Sequence, residues 1–256
     1  MSKLDFIKKI IKDLLPAGLD YIIKRLQYPS LSHRKYCGLK PAGGYKMGYK
    51  MQECINYIEK GTSIIPKNIF EIGANLAQDA DYLKEYFRLD DKDIFVFEAH
   101  PELCKVIKKI HKFNTYNNAV YNEEKEIKFN LSPLNADTGS SSIFVGDKNN
   151  SIIVDAIRMD NFMQKNCISE IDFLKIDVEG GTYHVLEGFG KRIVDIKCIQ
   201  LEAEHNGFST IPYEKISELL LNSGFELVLF KRNMNNVHRM RQSDSFWVKR
   251  ECVKYK

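Results

Sequence analysis

Residues 172–181 read Asp-Phe-Leu-Lys-Ile-Asp-Val-Glu-Gly-Gly, a short apolar strand that ends in an acidic, glycine-rich turn. In an open α/β sheet, ligands bind beyond the carboxyl ends of the strands, so Asp177 and Glu179 stand where a site would form. A second strand over Ile196–Glu202 would bring Glu202, Glu204 and His205 to the same edge. Carboxylates crowded at one edge repel each other unless something cationic joins them. Two chemistries follow. Asp177 and Glu202 can hold magnesium or manganese, which prefer carboxylate oxygens, and the ion would acidify and orient a hydroxyl. Alternatively, a side chain among Asp177, Glu179 and His205 serves as a general base. Plainer roles stay open beside these: Glu179 as a cap on the following helix, Glu204 as a solvated side chain, His205 as a loop hydrogen-bonder, and His184 as a structural residue of the helix.

A second constellation lies upstream. Ile69-Phe70-Glu71-Ile72-Gly73-Ala74-Asn75 is a buried strand running into a tight turn. Gly73 lets the backbone approach a ligand closely, and the helix beginning near Asp79 offers unpaired N–H groups to the turn. The next strand ends in Phe97-Glu98, where a carboxylate can accept the hydroxyls of a ribose. Any adenosine cofactor would suit these features. A dinucleotide pyrophosphate wants G-x-G-x-x-G, whereas this turn is Gly-Ala-Asn-Leu-Ala, with no second or third glycine. A sulfonium cofactor has no phosphate, and Glu71 would suit its cationic region.

The segment resembles the E/D-x-G-A-N-x-G turn of the FkbM family of S-adenosylmethionine-dependent O-methyltransferases, with Ala77 where the family usually has glycine. Further pieces follow in the family's order. Phe97-Glu98-Ala99-His100-Pro101 is similar to F-E-P-x-P, and Asn118-Ala119-Val120 to N-x-A-V. Gly139–Ser142 matches a serine-rich loop, Met159–Phe162 is similar to L-D-D-F, and the acidic run is nearly complete. Together they span roughly residues 69–204. The resemblance implies S-adenosylmethionine as cofactor, held by Glu71, Gly73, Ala74, Asn75, Glu98, Ala99, Asn118 and Ala119. It further implies methyl transfer to a sugar hydroxyl of a nucleotide-sugar, capsule or other surface glycan. Two other classes remain: a nicotinamide-dependent oxidoreductase or epimerase, and a non-catalytic nucleotide- or membrane-binding scaffold. The missing glycines weigh against the first; the acidic edge weighs against the second.

The elements that must position these residues alternate. Strands are expected at 68–72, 94–98, 115–121, 126–131, 173–177 and 196–202. Helices are expected at 47–60, 79–87, 102–112, 182–189 and 213–222. An antiparallel pair at 225–230 and 246–249 closes the series. Such alternation predicts an α/β, Rossmann-like, mostly parallel doubly wound sheet with an antiparallel C-terminal strand. The cofactor-binding domain is expected over 67–256. Residues 1–66 form a helical extension with a glycine- and proline-rich loop at 28–46 that can act as a lid.

In that extension Phe6, Ile7, Ile10, Ile11, Leu14 and Leu15 fall on one helical face, and Lys3, Lys8, Lys9 and Lys12 on the others. The lysines interrupt the apolar run, so it does not read as a secretory signal. Two readings stand: a helix packed on its own domain or on a second copy of the chain, and a basic amphipathic helix resting on an anionic membrane. A net charge of +4 on 256 residues does not point to nucleic acid. The six cysteines show no C-x-x-C spacing, which argues against zinc and a disulfide framework. The expectation is a cytoplasmic enzyme, peripheral to a membrane if the second helix reading holds, acting on a small molecule or glycan.

Overall fold

The computed structural model describes residues 51–131, 142–144, 147–204, 211–232 and 242–255. The N-terminal helix, the 28–46 loop and His205 lie outside them, as do Gly139, Ser140 and Ser141. Short strands buried on both faces form the centre. Strands β1 (Ile69–Ile72) and β7 (Ile171–Ile176) are buried along their whole length, as apolar runs in parallel sheets must be. With β2 (Ile94–Phe97), β3 (Asn114–Tyr116), β8 (Ile196–Glu204), β9 (Phe225–Arg232) and β10 (Gln242–Lys249), they make a seven-stranded sheet of order β3-β2-β1-β7-β8-β10-β9. The first five strands are parallel. Strand β10 runs antiparallel to both neighbours. This is the Rossmann-like doubly wound sheet with a reversed C-terminal strand.

Helices cover both faces. Helix α1 (Met51–Gly61) buries Met51, Cys54, Ile55 and Ile58 in one core with Ile69, Leu83, Phe173 and Phe246. It precedes residue 67, the expected start of the cofactor domain, yet shares that domain's core. Helix α2 (Gln78–Phe87) follows β1, and α3 (Pro101–Ile110) follows β2. Pro101 suits the first helical turn, and His100 Nδ1 caps it by accepting the Glu102 N–H at 3.2 Å. Helices α4 (Met159–Lys165), α5 (Thr182–Glu187) and α6 (Tyr213–Asn222) complete the layers.

Two features depart from the sequence reading. Residues 115–121 were expected as one strand, but the chain breaks at Asn117. The Asn117 amide donates to Glu98 O at 2.9 Å and Ala99 O at 3.0 Å, and this turns the backbone out of the main sheet. Ala119–Val120 (β4) then joins a second sheet with β5 (Lys125–Leu131) and β6 (Asp147–Ile157), in the order β4-β6-β5. The sequence reading did not foresee β6, whose first half, Asp-Lys-Asn-Asn-Ser, has no alternating apolar pattern. The small sheet has its own core of Ala99, Ala119, Ile127, Phe129, Val154 and Ala156. Among the described residues no helix is long and apolar enough to cross a membrane.

Candidate cofactor and catalytic site

The carboxyl ends of β1, β2 and β7 meet at the turn after β1. Gly73 has φ +77, and a Cβ there would lie 1.8 Å from Asp177 O, so only glycine fits. Its N–H donates to Phe97 O at 3.0 Å, and the Asp177 N–H donates to Ile72 O at 2.9 Å. The turn is strained beyond the glycine. Asn75 and Ala77 are left-handed at φ 53 and φ 56, a conformation that costs a side-chain-bearing residue roughly 1–2 kcal/mol. Ala77 is also the N-cap of α2 and gives it no side-chain cap. The missing family glycine at this position is therefore a real departure, absorbed as backbone strain.

Glu98 bridges the turn after β1 to the turn after β2. Its Oε2 accepts the Asn75 N–H at 2.6 Å and its Oε1 the His100 N–H at 2.7 Å. Only 6% of the residue is exposed. Burial pushes its carboxyl up to about 7; the two N–H bonds oppose the rise and the nearby Asp177 charge adds to it. Asn75 Oδ1 is buried and has no hydrogen-bond partner among the described residues. Such an atom carries a desolvation cost of about 1–3 kcal/mol that an incoming donor would remove. Ala74 and Ala99 are buried beside these groups, and Ala119 is buried in β4. Asn118 donates through its amide to Asp155 O at 3.3 Å.

Glu71 sits differently from its expected role beside a ligand cation. It is 1% exposed, and its Oε2 accepts the Ala80 N–H at 2.9 Å. Its Oε1 lies 3.5 Å from Lys175 Nζ, so its cationic partner comes from the protein. Burial drives this carboxyl up and Lys175 pulls it down. Lys175 also meets Asp79 Oδ2 at 2.9 Å and Asp177 Oδ2 at 3.2 Å. Sequence reading gave Lys175 no role, although a lysine set among Phe173, Leu174 and Ile176 was a usable signal.

Three carboxylates of the expected acidic edge lie together, and the side chain of Glu204, like His205, lies outside the described residues. Asp177, Glu179 and Glu202 each bring a ligand oxygen within 4.8 Å of the others. Glu179 is left-handed at φ 49, and its carbonyl accepts the Ser142 hydroxyl at 2.6 Å. The N-cap of α5 is Gly181, without a side-chain cap bond of its own. Gln242 Nε2 reaches Glu179 Oε2 at 3.3 Å and Glu202 Oε1 at 3.0 Å. Gln242 begins the reversed strand and is a site contact the sequence did not signal. Asp244, two residues on, is driven up by burial and by the Asp177 charge. His184 packs between Phe144 and Tyr121, with ring centroids 5.6 and 4.8 Å away, which fits its structural reading.

Residues 71–236, from the end of β1 past the end of β9, match the family model described as the methyltransferase FkbM domain. The chain belongs to the FkbM methyltransferase family. The matched span takes in the turn after β1, Glu98, the small sheet and the acidic edge, and stops short of Gln242. Among solved structures, the FkbM methyltransferase from Methylobacillus flagellatus KT aligns at 10% identity and a TM-score of 0.49, over 86% of this chain and 50% of that one. This chain thus spans about half the length of that relative. M. capricolum TrmK, bound to S-adenosyl-homocysteine, aligns at 11% identity and a TM-score of 0.44, over 83% and 73% of the two chains. Aeropyrum pernix fibrillarin, bound to S-adenosyl-L-methionine, gives 12% identity and a TM-score of 0.41, over 72% and 68%. No curated protein matches the chain.

Proposed function

We propose that this FkbM domain transfers a methyl group from S-adenosylmethionine to an oxygen, and that the acceptor is a sugar hydroxyl in a nucleotide-sugar, capsule or other surface glycan. The observation that carries the cofactor reading is the pairing at the first turn. Glu98 is held by two backbone N–H groups at the end of β2, and the buried Asn75 Oδ1 beside it lacks a donor. Hydroxyl and amino groups of an adenosyl amino acid supply donors of the kind both need. Glu98 would hold the ribose; Gly73, Ala74 and Asn75 would hold the amino-acid end; Ala99, Asn118 and Ala119 would border the adenine. When bound, the cofactor supplies an electrophilic methyl group on a sulfonium.

For the acceptor, the family supports methyl transfer, and the acidic edge supports a hydroxyl as its target. Asp177, whose Oδ2 is tied to Lys175, would take the hydroxyl proton on Oδ1. Glu179 and Glu202 would accept neighbouring hydroxyls of the same polyol and so orient it, which is a large part of the rate in such alignments. His205 is the alternative base. Magnesium or manganese could use the same carboxylates. However, Lys175 already donates to Asp177, and Gln242 donates to both Glu179 and Glu202. An ion would share these carboxylates with the donors they already have, whereas a base needs only Asp177 Oδ1. The reading is tested by replacing Glu98 with alanine. S-adenosylhomocysteine should bind at least tenfold more weakly, the loss of a charge-assisted bond of ~1.5–3 kcal/mol. Unchanged affinity in a folded variant would remove Glu98 from the cofactor site.

A further inference from the structure

Lys175 is 7% exposed and lies in the middle of the sheet. Burying an ammonium is costly unless it is well paired, and this one is paired three ways. Glu71 stands beside it across the β1–β7 ladder, in direct register. Asp79 comes from the first turn of α2, and Asp177 from the end of its own strand. Glu71 lies on β1 just before the Gly73–Ala77 turn, Asp79 in α2 just after it, and the Asp177 N–H is bonded to Ile72 O at its start. Glu71 extends the link further, because its other oxygen holds the Ala80 N–H in the first turn of α2.

The turn needs that support. Asn75 and Ala77 are left-handed, the Ala77 cap offers no side-chain bond, and Gly73 is pressed against Asp177 O. Sparsely populated backbone conformations of this kind persist only where the surroundings over-determine them. Besides its backbone bonds, the turn is tied by Glu98 on one side and by the Lys175 cluster on the other. Glu98 would face the ligand. Lys175 lies beneath, on the protein side.

We propose that Lys175 is a positioning residue for the cofactor turn: by binding Glu71, Asp79 and Asp177 together, it holds the Gly73–Ala77 turn, the start of α2 and the Asp177 carboxylate in one arrangement before any ligand arrives. It acts through those groups and touches no substrate. The inference rests on the proposed cofactor only for the choice of probe. A lysine that served global stability alone would loosen the whole sheet when removed. A positioning lysine loosens the turn selectively and weakens the ligand that the turn receives.

The experiment compares the wild-type chain, Lys175→Met and Asp79→Asn by amide hydrogen exchange and by calorimetric titration with S-adenosylhomocysteine. In free Lys175→Met, amides 74–81 should exchange at least tenfold faster while those of β8 and β10 stay near wild type. Affinity should fall at least tenfold, and saturating ligand should restore protection to 74–81. Asp79→Asn removes the charge from one of the three contacts at a more exposed position, and should give the same local pattern, three- to tenfold in size. Should Lys175→Met fail to fold, Asp79→Asn decides alone. Unchanged exchange at 74–81, or faster exchange spread evenly over β7, β8 and β10, would overturn the proposal. Failure of the wild-type chain to bind S-adenosylhomocysteine would count against the cofactor reading instead, and the exchange of the free proteins would still judge Lys175.

Discussion

Cofactor affinity should depend on pH through Glu98, in a way its surroundings determine. Burial holds this carboxyl up to about 7, against an ordinary glutamate value of ~4.3. Ionised Glu98 accepts at both oxygens, so the ribose hydroxyls need it unprotonated. With a value near 7, about one-tenth of the free protein is ready at pH 6 and about nine-tenths at pH 8. Affinity for S-adenosylhomocysteine should therefore rise about tenfold from pH 6 to pH 8. Titrations at pH 6 in buffers of different ionisation enthalpy should show release of nearly one proton per ligand bound. The sign for stability is the reverse. Glu98 keeps its proton in the folded chain to a higher pH than in the unfolded chain, so its contribution is most favourable below ~4.3. It declines as pH rises toward 7, by roughly 4 kcal/mol at most, and then levels off. Glu98→Gln carries no titrating group and separates this site from Glu71 and Asp244, which burial also drives up. Wild-type affinity that stays flat between pH 6 and pH 8, or a slope that survives in Glu98→Gln, would refute the reasoning.

Further outcomes are expected. Gly73→Ala puts a methyl 1.8 Å from Asp177 O at φ +77; it should cost more than about 2 kcal/mol in chemical denaturation and abolish S-adenosylhomocysteine binding, whereas near-normal stability would deny the tight turn. Asp177→Asn should keep cofactor affinity within about threefold and lose turnover on a glycan acceptor; full turnover would remove Asp177 as the base. Exhaustive chelation should leave methyl transfer intact under the base reading, and loss restored by manganese or magnesium would establish the ion instead. Removal of residues 1–27 should spare cofactor binding, measured by calorimetry, while changing oligomer size or vesicle association; lost binding in a folded protein would make that segment part of the core.

Much of the fold was legible because buried parallel strands advertise themselves. Ile69–Ile72, Ile94–Phe97 and Ile171–Ile176 are mostly apolar, with Glu71, Asp172 and Lys175 as charged exceptions, and each was placed to within a few residues. The acidic edge was legible because adjacent strands bring their ends together whatever lies between them in sequence. Hence Asp177 and Glu202 could be joined from periodicity alone. Contacts made by single polar side chains were not legible. Asn117 looks like any strand residue until its amide is seen to hold Glu98 O and Ala99 O, at the point where the chain leaves one sheet for the other. Glu71 was expected to face a ligand cation because its type and position permit it. Only the register of β1 against β7 shows Lys175 beside it. Gln242 stands about forty residues from Glu202 in sequence, on a strand whose reversed direction alone brings it over the acidic pair.

The central claim is that the turn after β1 and the carboxylate after β2 form a site for S-adenosylmethionine. Parallel calorimetric titration of the wild-type chain with S-adenosylhomocysteine, NAD and NADP tests it most directly. The account predicts saturable one-to-one binding of S-adenosylhomocysteine and no heat of binding from either dinucleotide. Binding of NAD or NADP without S-adenosylhomocysteine would contradict it.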